Sequence, residues 1–174
     1  MPPADLLGEE RLRIRWQVRW SFKTKASWTR LAIPDIGRWL GRTVPEVPLS
    51  YHMTQALTGH GCFQYYLQRM GRAGSACCHH CNSDADTVNH TLFECQYWSG
   101  LREDLEGRLG HLPAVEDMSA ILCGPAFEDL PLDHSVRADV LYNAEETFRI
   151  FYKMVEEILT LKEEEERARQ ADEA

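Results

Sequence analysis

With 174 residues, 44% of them hydrophobic, and a formal charge of -8, the chain is long enough for one domain with a core and too short for a multi-domain enzyme. It contains no run of about 18 apolar residues, so no helix is expected to span a membrane and no membrane partner is expected. The acidic total hides a division: residues 1–72 hold 11 Lys and Arg against 5 Asp and Glu, whereas residues 73–174 hold 8 against 22, so any phosphate contact belongs to the front half.

The first element is an amphipathic helix over residues 5–22, with Leu6, Leu12, Trp16 and Trp20 near helical spacing and Arg11, Arg13, Arg15 and Arg19 between them. The simpler reading makes the tryptophans core and the arginines a solvated face. The alternative is a clamp, because aromatic rings interleaved with arginines can stack on bases and pair with phosphates. Lys23, Lys25 and Arg30 carry the basic character onward. Pro34 then breaks the chain, and Asp35 is placed to cap a short helix containing Ile36, Trp39 and Leu40. After a loop at Gly41, Pro45 and Pro48, residues from Leu49 predict two short helices split at Gly59-His60-Gly61, the first capped by Ser50 and the second ending near Gly71. Phe63, Tyr66, Leu67 and Met70 form the expected core stripe of the second. Neither His52 nor His60 reads as a ligand or a catalyst.

Cys78-x2-Cys81 and His90-x4-Cys95 follow, eight residues apart. Zinc takes four such ligands in tetrahedral array, and a C-x2-C pair lets one tight turn deliver two thiolates. The second half has the spacing of a retroviral zinc knuckle and the intervening gap is longer, so a knuckle-like site with an enlarged loop is expected. Cys77, His79 and His80 stay open as alternative ligands. Cys62 and Cys123 read as small buried apolar residues. Six cysteines are too sparse for a disulfide scaffold, and the N-terminal text is charged where a leader would be apolar. A reducing, intracellular setting, nuclear or cytoplasmic, is expected.

Tyr97, Trp98, Leu101, Leu105 and Leu109 predict a helix ending at Gly110, followed by a short helix around Met118–Cys123. A last helix, capped by Asp133 or Ser135, is expected to run to about Ala168 with Val136, Val140, Ala144, Phe148, Phe151, Val155, Ile158 and Leu161 on one stripe. Beyond Leu161 only charge remains, which reads as a solvated or frayed end with Glu163–Arg167 and Glu165–Arg169 pairs. The expected fold is mainly α, a small helical domain with a zinc-knuckle-like loop and a long C-terminal helix. It divides into a basic Trp/Arg-rich arm (1–48), a helical core with the zinc site (49–110), and a linker with the acidic helix (111–174).

The succession RWQVRW, WTRLAIPDI, TQALTGHGCFQYYLQRMGRA, CCHHC, TVNHTLFECQYW and KEEEERAR resembles the C-terminal region of reverse transcriptases of arthropod non-LTR retrotransposons, in particular the Pol polyproteins of type-1 elements. The likeness is strongest from Trp28 to Trp98. It implies a region beside a polymerase that acts in target-primed reverse transcription, with structural zinc on Cys78, Cys81, His90 and Cys95 and with RNA or DNA as partner. The polymerase's paired aspartates, which would hold two metal ions, do not occur here, nor does an endonuclease, so this chain is expected to be non-catalytic. The arm before Arg15 is shorter than the family leads one to expect, as in a spliced or decayed remnant.

Candidate nucleic-acid contacts are Arg11, Arg13, Arg15, Arg19, Lys23, Lys25, Arg30, Arg69 and Arg72, with the polymerase portion of a retroelement protein as a second partner. The alternative is a structural or protein-interaction module, a domesticated or decayed remnant in which zinc only fastens the fold. Asp84, Asp86 and Glu94 favour it, because they stand where retroviral knuckles carry basic residues. Catalytic zinc is disfavoured because four protein ligands leave no position for water, and no small-molecule substrate is expected.

Overall fold

Short helices stop where the sequence punctuates them, and one long helix collects them. The computed structural model describes residues 4–45 and 48–174, with side chains from residue 7 on; the side chain of Leu6, at the head of the first stripe, and the first three residues of the charged N-terminal text lie outside this description. In chain order the helices are α1 (Ala4–Ser21), α2 (Ser27–Ala32), α3 (Ile36–Leu40), α4 (Tyr51–Thr58), α5 (Gln64–Arg69), α6 (Ser99–Leu109), α7 (Val115–Cys123) and α8 (His134–Glu173). Among the described residues there is no strand, and no helix is long and apolar enough to cross a membrane.

The caps are those the sequence offers. Asp35 accepts a hydrogen bond from Arg38 N, Ser50 from Met53 N, and Asp133 from Ser135 N and Val136 N, each satisfying amides that have no partner within the helix. Gly59 and Gly110 close α4 and α6 in the left-handed conformation, with φ of 71° and 76°.

The spine of the core is α8, against which α4, α6 and α7 pack, while α2 bridges α4 and α7. It contributes Phe148, Phe151, Met154, Val155, Ile158 and Leu159, which meet Met53 and Leu57 of α4, Leu105 of α6, Met118 and Leu122 of α7, and Phe63, Leu92 and Trp98. Each large apolar side chain buried in this way contributes roughly 1.5–3 kcal/mol.

Four expectations need correction. Leu12 and Trp16 (43% exposed) stay at the surface, because α1 packs against α3, whose five residues offer too narrow a face to cover it. Hydrogen bonds hold α1 instead: Gln17 Nε2 donates to Pro34 O, Gln17 Oε1 accepts from Ile36 N, and Trp20 Nε1 donates to Ile33 O. Met70 is exposed because α5 ends one residue before it. On α8, Val136 and Leu161 are exposed while Met154 and Leu159 take core positions. Finally, the charged end of α8 is not simply solvated: Lys162 is 2% exposed, and Arg169 pairs with Glu166, not Glu165.

Candidate metal centre

Cys78 and Cys81 leave a tight turn before the π-helical turn His90–Glu94, which carries His90 and ends at Cys95. In that first turn Asn82 N donates to Cys78 O, Cys78 N donates to Ser83 O, and His80 N lies 3.4 Å from Cys78 Sγ. Asn82 takes the left-handed conformation, φ 58°, which asparagine tolerates better than most residues. The wide turn at His90–Glu94 adds a residue per turn, and Cys95 N donates to His90 O. The ligand atoms of Cys78, Cys81, His90 and Cys95 all fall within 4.8 Å of one another.

This spacing fits a metal ion. A tetrahedral ion with metal–sulfur bonds of about 2.3 Å holds its sulfurs about 3.8 Å apart; Cys78 and Cys95 sulfurs are 3.9 Å apart, and Cys81 Sγ is 3.2 Å from His90 Nε2. A disulfide would need about 2.05 Å, and all six cysteines are free. Burial pushes the Cys95 thiol up to about 12, despite a backbone hydrogen bond at Tyr97 that opposes the rise. Without a cation the buried Cys95 thiol resists ionisation, and a divalent ion supplies the charge that a thiolate needs. Arg102, buried in α6, donates to Cys95 O at 2.6 Å, which places a guanidinium against the ligand set.

The alternative ligands Cys77, His79 and His80 are not among the four clustered residues. Cys77 and His79 are exposed. His80 stacks on Tyr97 with ring centroids 4.0 Å apart, and its Nε2 is 2.9 Å from Glu165 Oε2, close enough for an ion pair but out of line for a hydrogen bond. Cys62 and Cys123 are buried in the body of the fold, and burial raises both thiols, Cys62 to about 12. Raised thiols of this kind are poor nucleophiles.

Sequence reasoning missed the buried ion pair behind the loop. Asp86, wholly buried between the two halves of the ligand set, accepts from Gln64 N, Thr91 Oγ1 and Lys162 Nζ, the last at 2.7 Å. Around it His52 bridges Glu156 and Glu163, and Gln64 donates to Glu166. Glu156 is desolvated by burial, which alone would raise its carboxyl; hydrogen bonds from Ser50 and His52 outweigh this and hold it below the usual range. Glu166 follows the same pattern, with Arg169 and Gln170 as donors.

The basic candidates fall on separate elements. Arg11, Arg15 and Arg19 are exposed at four-residue spacing on α1 and make no ion pair among the described residues. Arg13 lies on another side of the helix, 4.0 Å from Glu9. Lys23 and Lys25 are exposed after α1, while Arg30 spends Nη1 on Lys25 O. Arg69 and Arg72 are exposed at and beyond the end of α5.

No family model matches the chain, and no solved structure matches it. Curated relatives do. The Pol polyprotein from type-1 retrotransposable element R1 4 of Nasonia vitripennis is 33% identical over 92 residues, covering 52% of this chain and 22% of the relative. That of element R1 from Bradysia coprophila is 33% identical over 126 residues, 63% of this chain and 12% of the relative. That of element R1 2 of Nasonia vitripennis is 30% identical over 98 residues, 56% and 23%. The chain thus spans less than a quarter of the length of each of these relatives. It is similar to a partial region of the R1 Pol polyproteins, as its motifs lead one to expect.

Proposed function

We propose that this chain is a zinc-stabilised, non-catalytic helical module that aids RNA or DNA binding beside a retroelement polymerase during target-primed reverse transcription. Cys78, Cys81, His90 and Cys95 would hold the ion, whose contribution is to fix the loop. Three thiolates and a neutral imidazole suit zinc over harder cations. The phosphate contacts fall to the front half. The observation that carries this reading is the ridge of Arg11, Arg15 and Arg19, exposed and unpaired among the described residues on a helix whose neighbouring face covers no core.

Filter binding of the full chain to single-stranded and duplex oligonucleotides across salt concentrations tests it. Affinity is expected to fall as salt rises, and changing all three ridge arginines to glutamine should lower the slope of log K against log salt by about 2–3. Binding that is absent, or indifferent to salt, would refute the reading.

A protein-interaction role is the second reading, favoured by two observations. Ile14 and Val18 on α1 and Phe22 in the turn just after it, spaced by four, are all exposed, and no Lys or Arg occurs between Cys81 and Cys95. Pull-down by the polymerase portion of the relatives that is lost in Ile14→Glu, with oligonucleotide binding intact, would support it over the first.

A further inference from the structure

The geometry points to a nucleobase-binding cleft between α2, the α4–α5 turn and the residues just before His90, a site that would give the nucleic-acid reading above, on which it rests, a specific ligand. The cleft measures about 320 Å³ and is lined by Trp28, His60, Tyr65, Tyr66 and Arg69 among others, with no carboxylate among the described residues of its wall. In a chain with 27 Asp and Glu, a wall that carries a guanidinium and no acid favours an anionic ligand. Its aromatic content favours a flat one.

The rings are fixed by the fold. Trp28 Nε1 donates to Ala56 O at 2.7 Å, and Thr29 Oγ1 donates to Leu57 O, so α2 is pinned to α4. At the back, Gly59 takes φ 71°, and a Cβ there would come 3.3 Å from Val88 and 3.6 Å from Trp28; any side chain would narrow the cleft. His60 stacks on Tyr66 with centroids 4.7 Å apart and planes 16° from parallel. Tyr65 is 43% exposed, and the Arg69 guanidinium sits 6.0 Å from its ring centroid. A base stacked on Tyr65 would place its sugar-phosphate within the field of Arg69, the arrangement by which proteins hold unpaired bases.

The test uses the full chain and a single strand of about 12 nucleotides containing one 2-aminopurine, whose emission is quenched when the base stacks. The wild type is expected to bind and quench. Tyr65→Ala should weaken binding about tenfold and abolish the quench, and Tyr65→Phe should retain both. Because Tyr65 lies at the surface, circular dichroism of Tyr65→Ala is expected to match the wild type.

Salt-dependent binding with a quench indifferent to Tyr65→Ala would overturn the cleft and leave the arginine ridge standing. If no strand binds, the nucleic-acid reading falls, and the cleft is decided separately with the free 2-aminopurine nucleoside at millimolar concentration. A quench by the wild type that Tyr65→Ala abolishes would uphold the cleft; no quench would overturn it.

Discussion

At the scale of single residues, the most consequential pair is Lys162 and Asp86, 2.7 Å apart and almost fully buried. Two charges withdrawn from water gain less from each other than desolvation costs unless further bonds assist; here Gln64 N and Thr91 Oγ1 supply them. Removing one partner strands the other. Lys162→Met is therefore expected to cost about 3–5 kcal/mol in chemical denaturation, and much less in an Asp86→Asn background; equal costs in both would show that the pair is uncoupled. The Glu156 carboxyl makes a different prediction. Burial would raise it, but its bonds to Ser50 and His52 hold it below the ordinary 4.5. A depressed native value means that its stabilisation is complete above 4.5 and disappears as pH falls through the lower native value. Thermal midpoints should thus fall more steeply on acidification in the wild type than in Glu156→Gln. The comparison cancels any acid release of metal, which both proteins share, and parallel curves would contradict it.

At the scale of elements, the metal loop and the end of α8 form one unit. Asp86 ties residues 78–95 to Lys162, while His80 and Tyr97 meet Glu165. Structural zinc contributes roughly 10–16 kcal/mol of apparent binding energy in small peptides, part of which is folding energy. Chelation, or Cys81→Ser, is expected to deprotect the amides of residues 75–98 in hydrogen exchange and, through Asp86, those near Lys162–Arg169 as well, while residues 140–155 keep their protection. Full protection after chelation, with no metal found by elemental analysis, would sink this prediction. Much of this unit was legible in the sequence, and part was not. The ligand spacing and the caps at Asp35, Ser50 and Asp133 are local chemistry that a few neighbouring residues determine. The charged end of α8 misleads because Phe151, Val155, Ile158, Lys162, Glu166 and Arg169 continue one helical face at spacings of three and four, yet the last three are polar. The partners of Lys162 and Glu166, Asp86 and Gln64, lie many tens of residues away, where no local pattern points. Likewise α1 has a readable stripe, but a stripe does not say how wide its partner is.

At the scale of the molecule, the two ends of the chain are interdependent. Residues 1–98 contain the basic helix, the metal ligands and the aromatic cleft, so they would seem sufficient for binding on composition alone. The packing says otherwise, because α8 supplies Phe148, Phe151, Met154, Val155, Ile158 and Leu159 to the core, and α4 leans directly on it. Six large apolar side chains at roughly 1.5–3 kcal/mol each are together comparable with the whole of the roughly 5–15 kcal/mol by which small domains are ordinarily stable. A fragment ending at residue 98 also loses Lys162 and leaves Asp86 without its counter-charge. Such a fragment is expected to lack a cooperative thermal transition and to bind a hydrophobic dye. Added zinc should order the turn at Cys78–Cys81 without restoring the transition. The full chain should instead melt in one step with coincident far- and near-ultraviolet signals. A cooperative, dye-free fragment would mean that the front half carries its own core and that α8 is a replaceable cover.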